Sequence, residues 1–463
     1  MKNAIRIATW LALVAGACGI PRANAQKQAP PEGGPPKAFT VPANETYSLP
    51  NGLKVTLVPY GIIPKAQLSV AVDAGGLNEG SNRIGVSDLT AELMKEGTVT
   101  LTAEQVAEEA ARMGSTLEVS ASADQTTLGL DVLQEFAPDA VRLLADVLEH
   151  PRLPESELAR LKTDMLRQIA VAGARPQTIA LMRFRKLLYA GHPYAVVLPS
   201  EADVKKLTEQ DVKDYFGSNF GALRAHLYVA GKFDKPAVKK AIADSFGSWA
   251  KGSPRVEQVP STKPKRVLDL TDRPGAPQST LIVGLPVASP VSPDAIPLGV
   301  TNALLGGSFN SRITANIREQ KGYTYSPRSE ISRRYHDAYW AETADVTTLS
   351  TGPSLKEIFG EITRLQTEPP GTAELKGIQN YLSGLFVIQN SSRSALIGQL
   401  QYVDFQGLGE DYLKTYVAKV NAVTPADVQK MAGQYIKPEE MTVVVVGDKA
   451  KIEDQLAPYQ NAK

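Results

Sequence analysis

Arg318 and Tyr325, seven residues apart, are the residues whose types and spacing are best suited to bind a carbonyl group. A guanidinium and a phenol are both hydrogen-bond donors, and together they can hold one oxygen atom. Taken alone, the pair has a simpler explanation, because a cation near a helix C-terminus and a tyrosine in a strand are both common packing features. The neighbouring sequence must decide between these interpretations.

The sequence around the pair predicts the elements that position it. Apolar residues recur at every fourth position between Ser308 and Lys321, which predicts an amphipathic helix with Ser308 as N-cap and Gly322 as its stop. The next three residues, Tyr-Thr-Tyr at 323–325, suit a strand. Arg318 would then lie in the last helical turn and Tyr325 on the following strand. The apolar positions of the helix are Phe309, Ile313 and Ile317.

The segment 305–326, LGGSFNSRITANIREQKGYTYS, resembles the second-half signature of the insulinase/pitrilysin family of zinc peptidases. In that family an arginine and a tyrosine at this spacing grip the substrate backbone, so the resemblance implies this role for Arg318 and Tyr325. A phosphate-binding loop is not indicated, because Gly306-Gly307 lacks a following Gly-Lys-Ser/Thr. The resemblance extends over most of Val41–Asp448, and it implies two α+β halves clasped around a central chamber.

The family also carries an inverted zinc motif, H-x-x-E-H, on a helix of its first half, and a further glutamate ligand downstream. The corresponding segment 85–98 has the family's length, but the motif is absent. Asp88 and Glu92 occupy the two histidine positions, Ala91 occupies the position of the general base, and Gln168 falls near the downstream ligand. A methyl group cannot take a proton from water, and a neutral amide is a poor replacement for a carboxylate.

No other residues replace the missing motif. None of the four histidines has a partner three or four positions away, and Asp88 and Glu92 on one helix face are better explained as a solvated surface than as a cation site. We therefore expect no metal and no cofactor in this chain. A self-sufficient peptidase is the weakest hypothesis, because the serines lack a neighbouring histidine motif. The histidines are His150, His192, His226 and His336, and the serines considered are Ser87, Ser308 and Ser311.

The first residues predict a bacterial secretory signal. Lys2 and Arg6 precede an apolar run at 7–17, and an A-x-A site precedes cleavage after Ala25, so we expect a periplasmic protein. The run is too short to span a membrane. Lipid attachment at Cys18, the only cysteine, is a less favoured alternative. Cleavage after Ala25 would leave a mature chain without cysteine and hence without disulfides.

The charge balance and a repeated spacing give two further indications about function and domain organisation. The chain has 50 basic and 49 acidic residues, and removal of 1–25 takes away three basic residues, which leaves a net charge of −2. This balance gives no support to a nucleic-acid-binding function. Two landmarks indicate a duplication, because Thr424 and Gly447 lie 216 residues downstream of Thr208 and Gly231.

Helices and strands alternate irregularly within each half, which predicts an α+β fold with mostly antiparallel sheets packed against helices. In the first half we predict helices over Thr102–Met113, Ala137–Glu149 and Glu155–Val171 and a strand over Leu117–Leu130. The predicted organisation is a signal peptide at 1–25, a Pro-rich lead-in at 26–44, a first half at 45–250, an exposed linker at 251–266 and a second half at 267–457.

The chain keeps the residues expected to hold a substrate and lacks those expected to cut it. This division resembles the non-catalytic subunits of two-chain members of the family. The resemblance implies a chain that is no enzyme on its own, but is a subunit of a heterodimeric metalloendopeptidase whose partner brings zinc on H-x-x-E-H while Arg318 and Tyr325 hold the peptide. The alternative is a peptide-binding or scaffold protein of the same fold with no role in proteolysis.

Overall fold

Two sheets form the framework of the chain, in a computed structural model that describes residues 40–409 and 411–460. The strands are β1 Glu45–Ser48, β2 Lys54–Pro59, β3 Lys65–Val72, β4 Glu118–Ala121, β5 Thr126–Leu133, β6 Ala225–Gly231, β7 Val267–Asp272, β8 Gln278–Val287, β9 Arg328–Arg334, β10 Asp337–Thr347 and β11 Thr442–Gly447. The first sheet has the order β1-β2-β6-β3-β5-β4, and the second has the order β7-β11-β8-β10-β9.

Helices cover the faces of both sheets. Those of the first half are α1 Val86–Leu93, α2 Ala103–Arg112, α3 Ala137–Glu149, α4 Glu155–Gly173, α5 Pro176–Leu188, α6 Glu201–Lys206, α7 Glu209–Asn219 and α8 Lys235–Phe246. Those of the second half are α9 Ala295–Asn302, α10 Arg312–Thr314, α11 Thr351–Thr367, α12 Thr372–Gln389, α13 Arg393–Gln406, α14 Asp411–Ala422, α15 Pro425–Tyr435 and α16 Lys449–Leu456. Short π-helical segments at Ala303–Gly307 and Ala315–Gln320 follow α9 and α10.

The two halves repeat one strand order. The five strands β2-β6-β3-β5-β4 correspond to β7-β11-β8-β10-β9, with one parallel pair in each sheet, β2 with β6 and β7 with β11, and antiparallel pairing elsewhere. The repeated threonines, Thr208 and Thr424, are N-caps, and each side-chain oxygen accepts a hydrogen bond from a backbone N–H three residues later, at 3.2 Å. The predicted α+β fold of two homologous halves is confirmed.

Each sheet is covered on one face by helices of its own half and on the other by a helix of the opposite half. Phe184 of α5 packs on the second sheet, with its ring centroid 5.3 Å from that of Tyr339. Leu396 and Ile397 of α13 pack on the first sheet beside Tyr228. Because every one of these side chains is buried, each half completes the core of the other.

Polar contacts also join each of these two helices to the sheet of the opposite half. Arg393, at the start of α13, donates to Asp131 of β5 at 3.1 Å, and Gln177 in α5 donates to Asp345 of β10 at 2.8 Å. β5 and β10 hold corresponding positions in the two sheets, so each crossing helix is fixed near its first turn by an aspartate of the other half.

The segment 251–266 contains no helix or strand, and most of its residues are exposed, but several contacts connect it to the second half. The guanidinium of Arg255 lies 3.7 Å from the ring centroid of Tyr335, and the hydroxyl of that tyrosine donates to Glu257 at 2.7 Å. These contacts hold the connection against the second half, although Val256 is largely exposed.

Three helices of the first half follow the sequence-based predictions closely. Thr102 caps α2 through the predicted box with Gln105, α3 has the predicted bounds, and α4 continues to Gly173. The single strand predicted over Leu117–Leu130 is wrong. The Ser122 hydroxyl accepts from the backbone N–H of Gln125 at 3.0 Å and closes a turn, so the segment forms the hairpin of β4 and β5.

The predicted signal peptide, Cys18 and residues 26–39 of the predicted lead-in lie outside the described residues. Among the helices of residues 40–409 and 411–460, none combines the length and the apolar character that crossing a membrane requires.

The helices α5 and α13, which each pack on the sheet of the opposite half, should contribute much of the stability of both halves. Replacing Phe184→Ala removes a fully buried ring between α5 and the second sheet, and it should lower the free energy of unfolding by about 3–5 kcal/mol, measured by urea denaturation. The control Val171→Ala, at a largely exposed site on α4, should change it by less than about 0.5 kcal/mol. Equal effects of the two substitutions would contradict the proposed importance of this packing.

Candidate functional site

A buried carboxylate holds the loop and helix that correspond to the family's zinc motif. Glu79 accepts hydrogen bonds from the backbone N–H groups of Gly85 at 2.9 Å and Ser87 at 3.0 Å, and from the Ser87 hydroxyl at 2.6 Å. Burial raises the pKa of Glu79 despite these donors. Gly85 has a φ of 92°, which favours glycine, and it begins α1. The frame of the motif is therefore intact.

The four positions that correspond to zinc-site residues line one pocket of about 550 Å³. Asp88, Ala91 and Glu92 come from α1, and Gln168 comes from α4. Glu92 forms an ion pair with Lys95 at 2.5 Å. The surrounding protein raises the pKa of Asp88 mainly through burial and secondarily through the charge of Glu92, although its side chain keeps an exposed surface.

These side chains do not fit a zinc ion. They offer two carboxylates, one amide and one methyl group, whereas zinc sites take three or four ligands chosen mainly from imidazole, thiolate and carboxylate groups. One of the two carboxylates, that of Glu92, is already paired with a lysine. Within residues 40–409 and 411–460, no three His, Cys, Asp or Glu side chains are grouped closely enough to hold a metal ion.

The histidines do not compensate for the missing ligands. His226 lies 3.1 Å from a carboxylate oxygen of Asp404, and Nε2 of His336 lies 3.1 Å from the backbone carbonyl oxygen of Gln406. His150 lies at the C-terminal end of α3. They occupy separate places in the fold, as the sequence predicts.

The helix before the arginine begins later than predicted. Its N-cap is Ser311 and not Ser308, because the Ser311 N–H bonds to the Ser308 carbonyl at 3.1 Å and closes a turn first. From α10 the chain continues into the π-helical segment Ala315–Gln320, which carries Arg318. Gly322 ends the helix with a φ of 66°, as predicted.

The predicted apolar stripe is only partly buried. Ile313 and Ile317 are fully buried, but Phe309 belongs to the turn before the helix and is 67% exposed. The expectation that Tyr325 lies on a strand is also wrong. Only Thr324 forms a single bridge to β10, β9 begins three residues after Tyr325, and the tyrosine side chain is 84% exposed.

The structure nevertheless brings the arginine and the tyrosine together. The guanidinium carbon of Arg318 lies 4.2 Å from the ring centroid of Phe309 and 5.5 Å from that of Tyr325. Its Nε atom lies 3.1 Å from a carboxylate oxygen of Glu319. Cation–π contacts of this kind are worth about 0.5–1 kcal/mol at exposed sites. We call Phe309, Arg318 and Tyr325 the clamp. Its guanidinium and phenol are close enough to approach one ligand, and neither lines the pocket at α1.

The two glycines before the clamp are required by close packing. A Cβ atom on Gly306 would lie 2.6 Å from a carboxylate oxygen of Glu342, and one on Gly307 would lie 2.4 Å from the amide nitrogen of Asn302. Glu342 is fully buried in β10, and burial raises its pKa well above the ordinary value. Glu342 was missed at the level of sequence, where the available signal was an acidic residue within the mostly apolar run Ala338–Ala344.

Comparisons with known proteins assign the family. Residues 61–198 match the family model described as insulinase, peptidase family M16, and residues 206–382 match the peptidase M16 inactive domain. The chain belongs to the M16 peptidase family. The predicted recognition is thus confirmed. The first match lies within the first half of the fold, and the second begins near the end of the first half and continues into the second.

Several M16 relatives cover most of the chain. The non-peptidase homolog YmxG of Helicobacter pylori is 22% identical over 395 residues, which are 84% of this chain and 90% of that protein. The uncharacterized zinc protease YmxG of Bacillus subtilis is 26% identical over 314 residues, 67% of this chain and 74% of that protein. The crystal structure of a peptidase M16 inactive domain from Pseudomonas fluorescens superposes with a TM-score of 0.80 at 22% identity, covering 87% of this chain and 98% of that one.

An M16 chain without H-x-x-E-H fits a non-catalytic role, and the zinc content can test this interpretation. After dialysis against micromolar zinc, the mature chain should retain almost none by elemental analysis. The triple variant Asp88→His, Glu92→His and Gln168→Glu should retain about one zinc per chain, because it supplies three ligands around the existing pocket.

The single variant Asp88→His is the control, since one added imidazole should not retain the metal. One tightly held zinc in the unmodified chain would contradict our account of this pocket.

Proposed function

We propose that this chain is the non-catalytic, substrate-binding subunit of a heterodimeric periplasmic zinc metallopeptidase. The observation that carries the proposal is the clamp, in which Arg318 lies between two exposed aromatic rings in a chain whose zinc-motif positions cannot hold zinc. The partner would be an M16 chain with an intact H-x-x-E-H motif. The periplasmic location is proposed from the signal peptide predicted at 1–25.

The clamp has the chemistry needed to hold a peptide backbone. A carbonyl oxygen has two lone pairs, and the Arg318 guanidinium and the Tyr325 hydroxyl can each donate to one of them. The two rings fix the direction of the guanidinium, so little side-chain freedom is lost when a peptide binds. Donors placed in this way also stabilise negative charge that develops on the oxygen when the partner cleaves the bond.

The alternative is a peptide-binding or scaffold protein with no part in cleavage. The contact between Arg318 and Glu319 favours it, because a guanidinium stacked on two rings and paired with a carboxylate needs no substrate to satisfy it. Both functions predict a stable complex, and they differ in whether the clamp contributes to the rate of hydrolysis.

Co-purification with an M16 partner that contains H-x-x-E-H allows the two to be distinguished. In that complex Arg318→Ala should lower kcat/KM for a peptide substrate by about two to three orders of magnitude, because it removes a donor to the developing charge. Tyr325→Phe should cause a loss in the same direction and leave the aromatic ring in place.

The control is Arg142→Ala on α3. It removes an exposed arginine that is distant in sequence from the clamp, and it should leave the rate unchanged. Size-exclusion chromatography should show intact heterodimer for all variants. Activity of Arg318→Ala within a few-fold of the unmodified complex would favour the scaffold function, as would a stable complex that hydrolyses no peptide.

A further inference from the structure

A second, larger pocket of about 760 Å³ lies beside the pocket at α1, and the proposed function does not use it. The two pockets share three lining residues, so they form one continuous depression. The volume falls within the range of about 300–1,000 Å³ that is common for small-ligand sites. The shared residues are Asp88, Ala121 and Pro199, and the apolar residues of the larger pocket include Leu77, Ile84, Val196, Val197 and Val256.

This pocket contains an unpaired guanidinium. Arg185 of α5 lines it, and its Nε atom is buried without a hydrogen-bond acceptor. In the described part of the chain no carboxylate forms an ion pair with Arg185. Arg183, two residues earlier on the same helix, instead donates to both carboxylate oxygens of Asp269, from Nε at 3.0 Å and from Nη2 at 2.5 Å. Because no carboxylate of the described residues balances its charge, the Arg185 guanidinium is suited to an anionic ligand.

A second arginine adds positive charge to the pocket. Arg224 is buried, and it is held by hydrogen bonds from Nε to the Ser253 carbonyl at 3.0 Å and from Nη1 to Asn219 at 3.0 Å. Arg224 is therefore fixed by the protein, whereas Arg185 is available to a ligand. His192 also lines the pocket, and because burial lowers its pKa it adds no charge at neutral pH.

The pocket also contains an unpaired carboxylate. Glu79 is satisfied by its three donors, but in residues 40–409 and 411–460 we find no hydrogen bond or ion pair to the Asp88 carboxylate. Asp88 and Arg185 line the same pocket without pairing with each other. The pocket thus offers one free negative group and one free positive group, and apolar side chains form part of its lining.

We propose that this pocket binds a short apolar peptide by its two ends. The C-terminal carboxylate would pair with the Arg185 guanidinium, which matches carboxylate geometry in a two-point contact, and the N-terminal ammonium would face Asp88. The inference rests on the proposed function in that the ligand is a peptide. It adds a substrate class, peptides with free ends, and a binding residue on α5 that is separate from the clamp.

Isothermal titration calorimetry with trileucine and with its C-terminal amide tests the assignment on the mature chain. Trileucine should bind roughly tenfold to a hundredfold more tightly than the amide, because the amide lacks the charge that Arg185 recognises. Arg185→Gln should weaken trileucine binding by a similar factor and leave binding of the amide unchanged. Lys186→Gln is the matched control, since it removes the same charge from the next, exposed residue of α5 and should alter neither affinity.

Equal affinities for the acid and the amide, or no binding of either, would overturn the assignment. An equal loss in the Arg185→Gln and Lys186→Gln variants would also overturn it, because it would indicate only a general charge effect. Thermal unfolding of both variants confirms that they remain folded. The clamp experiment is independent, so a large loss of activity in Arg318→Ala together with equal peptide affinities would reject only this pocket.

Discussion

The rest of the structure depends on one contact made twice: a helix from each half packs on the sheet of the other half. A sheet buries apolar side chains on both faces, and each half supplies helices for only one face of its own sheet. α5 of the first half covers the other face of the second sheet, and α13 of the second half covers the other face of the first sheet. This packing places α5, which carries Arg185, along the pocket, and it orients β10, whose glutamate packs against the glycines before the clamp.

The frame of the zinc motif is independent of the residues that would hold zinc. Glu79 binds backbone and hydroxyl groups of the loop at Gly85 and Ser87, and none of these contacts involves an imidazole or a catalytic carboxylate. Asp88 and Glu92, which are exposed on α1, can therefore change without loss of the helix, because its buried face and its N-terminal contacts are unaffected. A peptidase fold can persist in this way after the cleavage chemistry has gone.

Local signals in the sequence were sufficient for much of the fold. The capping threonines at 208 and 424 and the bounds of α3 were predicted because capping and periodicity depend on residues a few positions apart. The hairpin of β4 and β5, the late start at Ser311 and the loop position of Tyr325 were missed. Each of these is decided by turn hydrogen bonds or by pairing with β10, which residue types do not reveal. Arg185 was missed for a related reason, since its lack of a partner is visible only in three dimensions.

The π-helical segment that carries Arg318 has a consequence for how this site can vary. A π-helix takes one more residue per hydrogen-bonded ring than an α-helix, so the direction of a side chain depends on the number of residues before it. Loss of one residue from this segment would replace the wider hydrogen-bonded rings with α-helical ones and change the directions of the side chains within it, including Arg318. Insertions and deletions here would therefore be far more disruptive than substitutions, and related chains that keep this geometry should also keep the length of this segment.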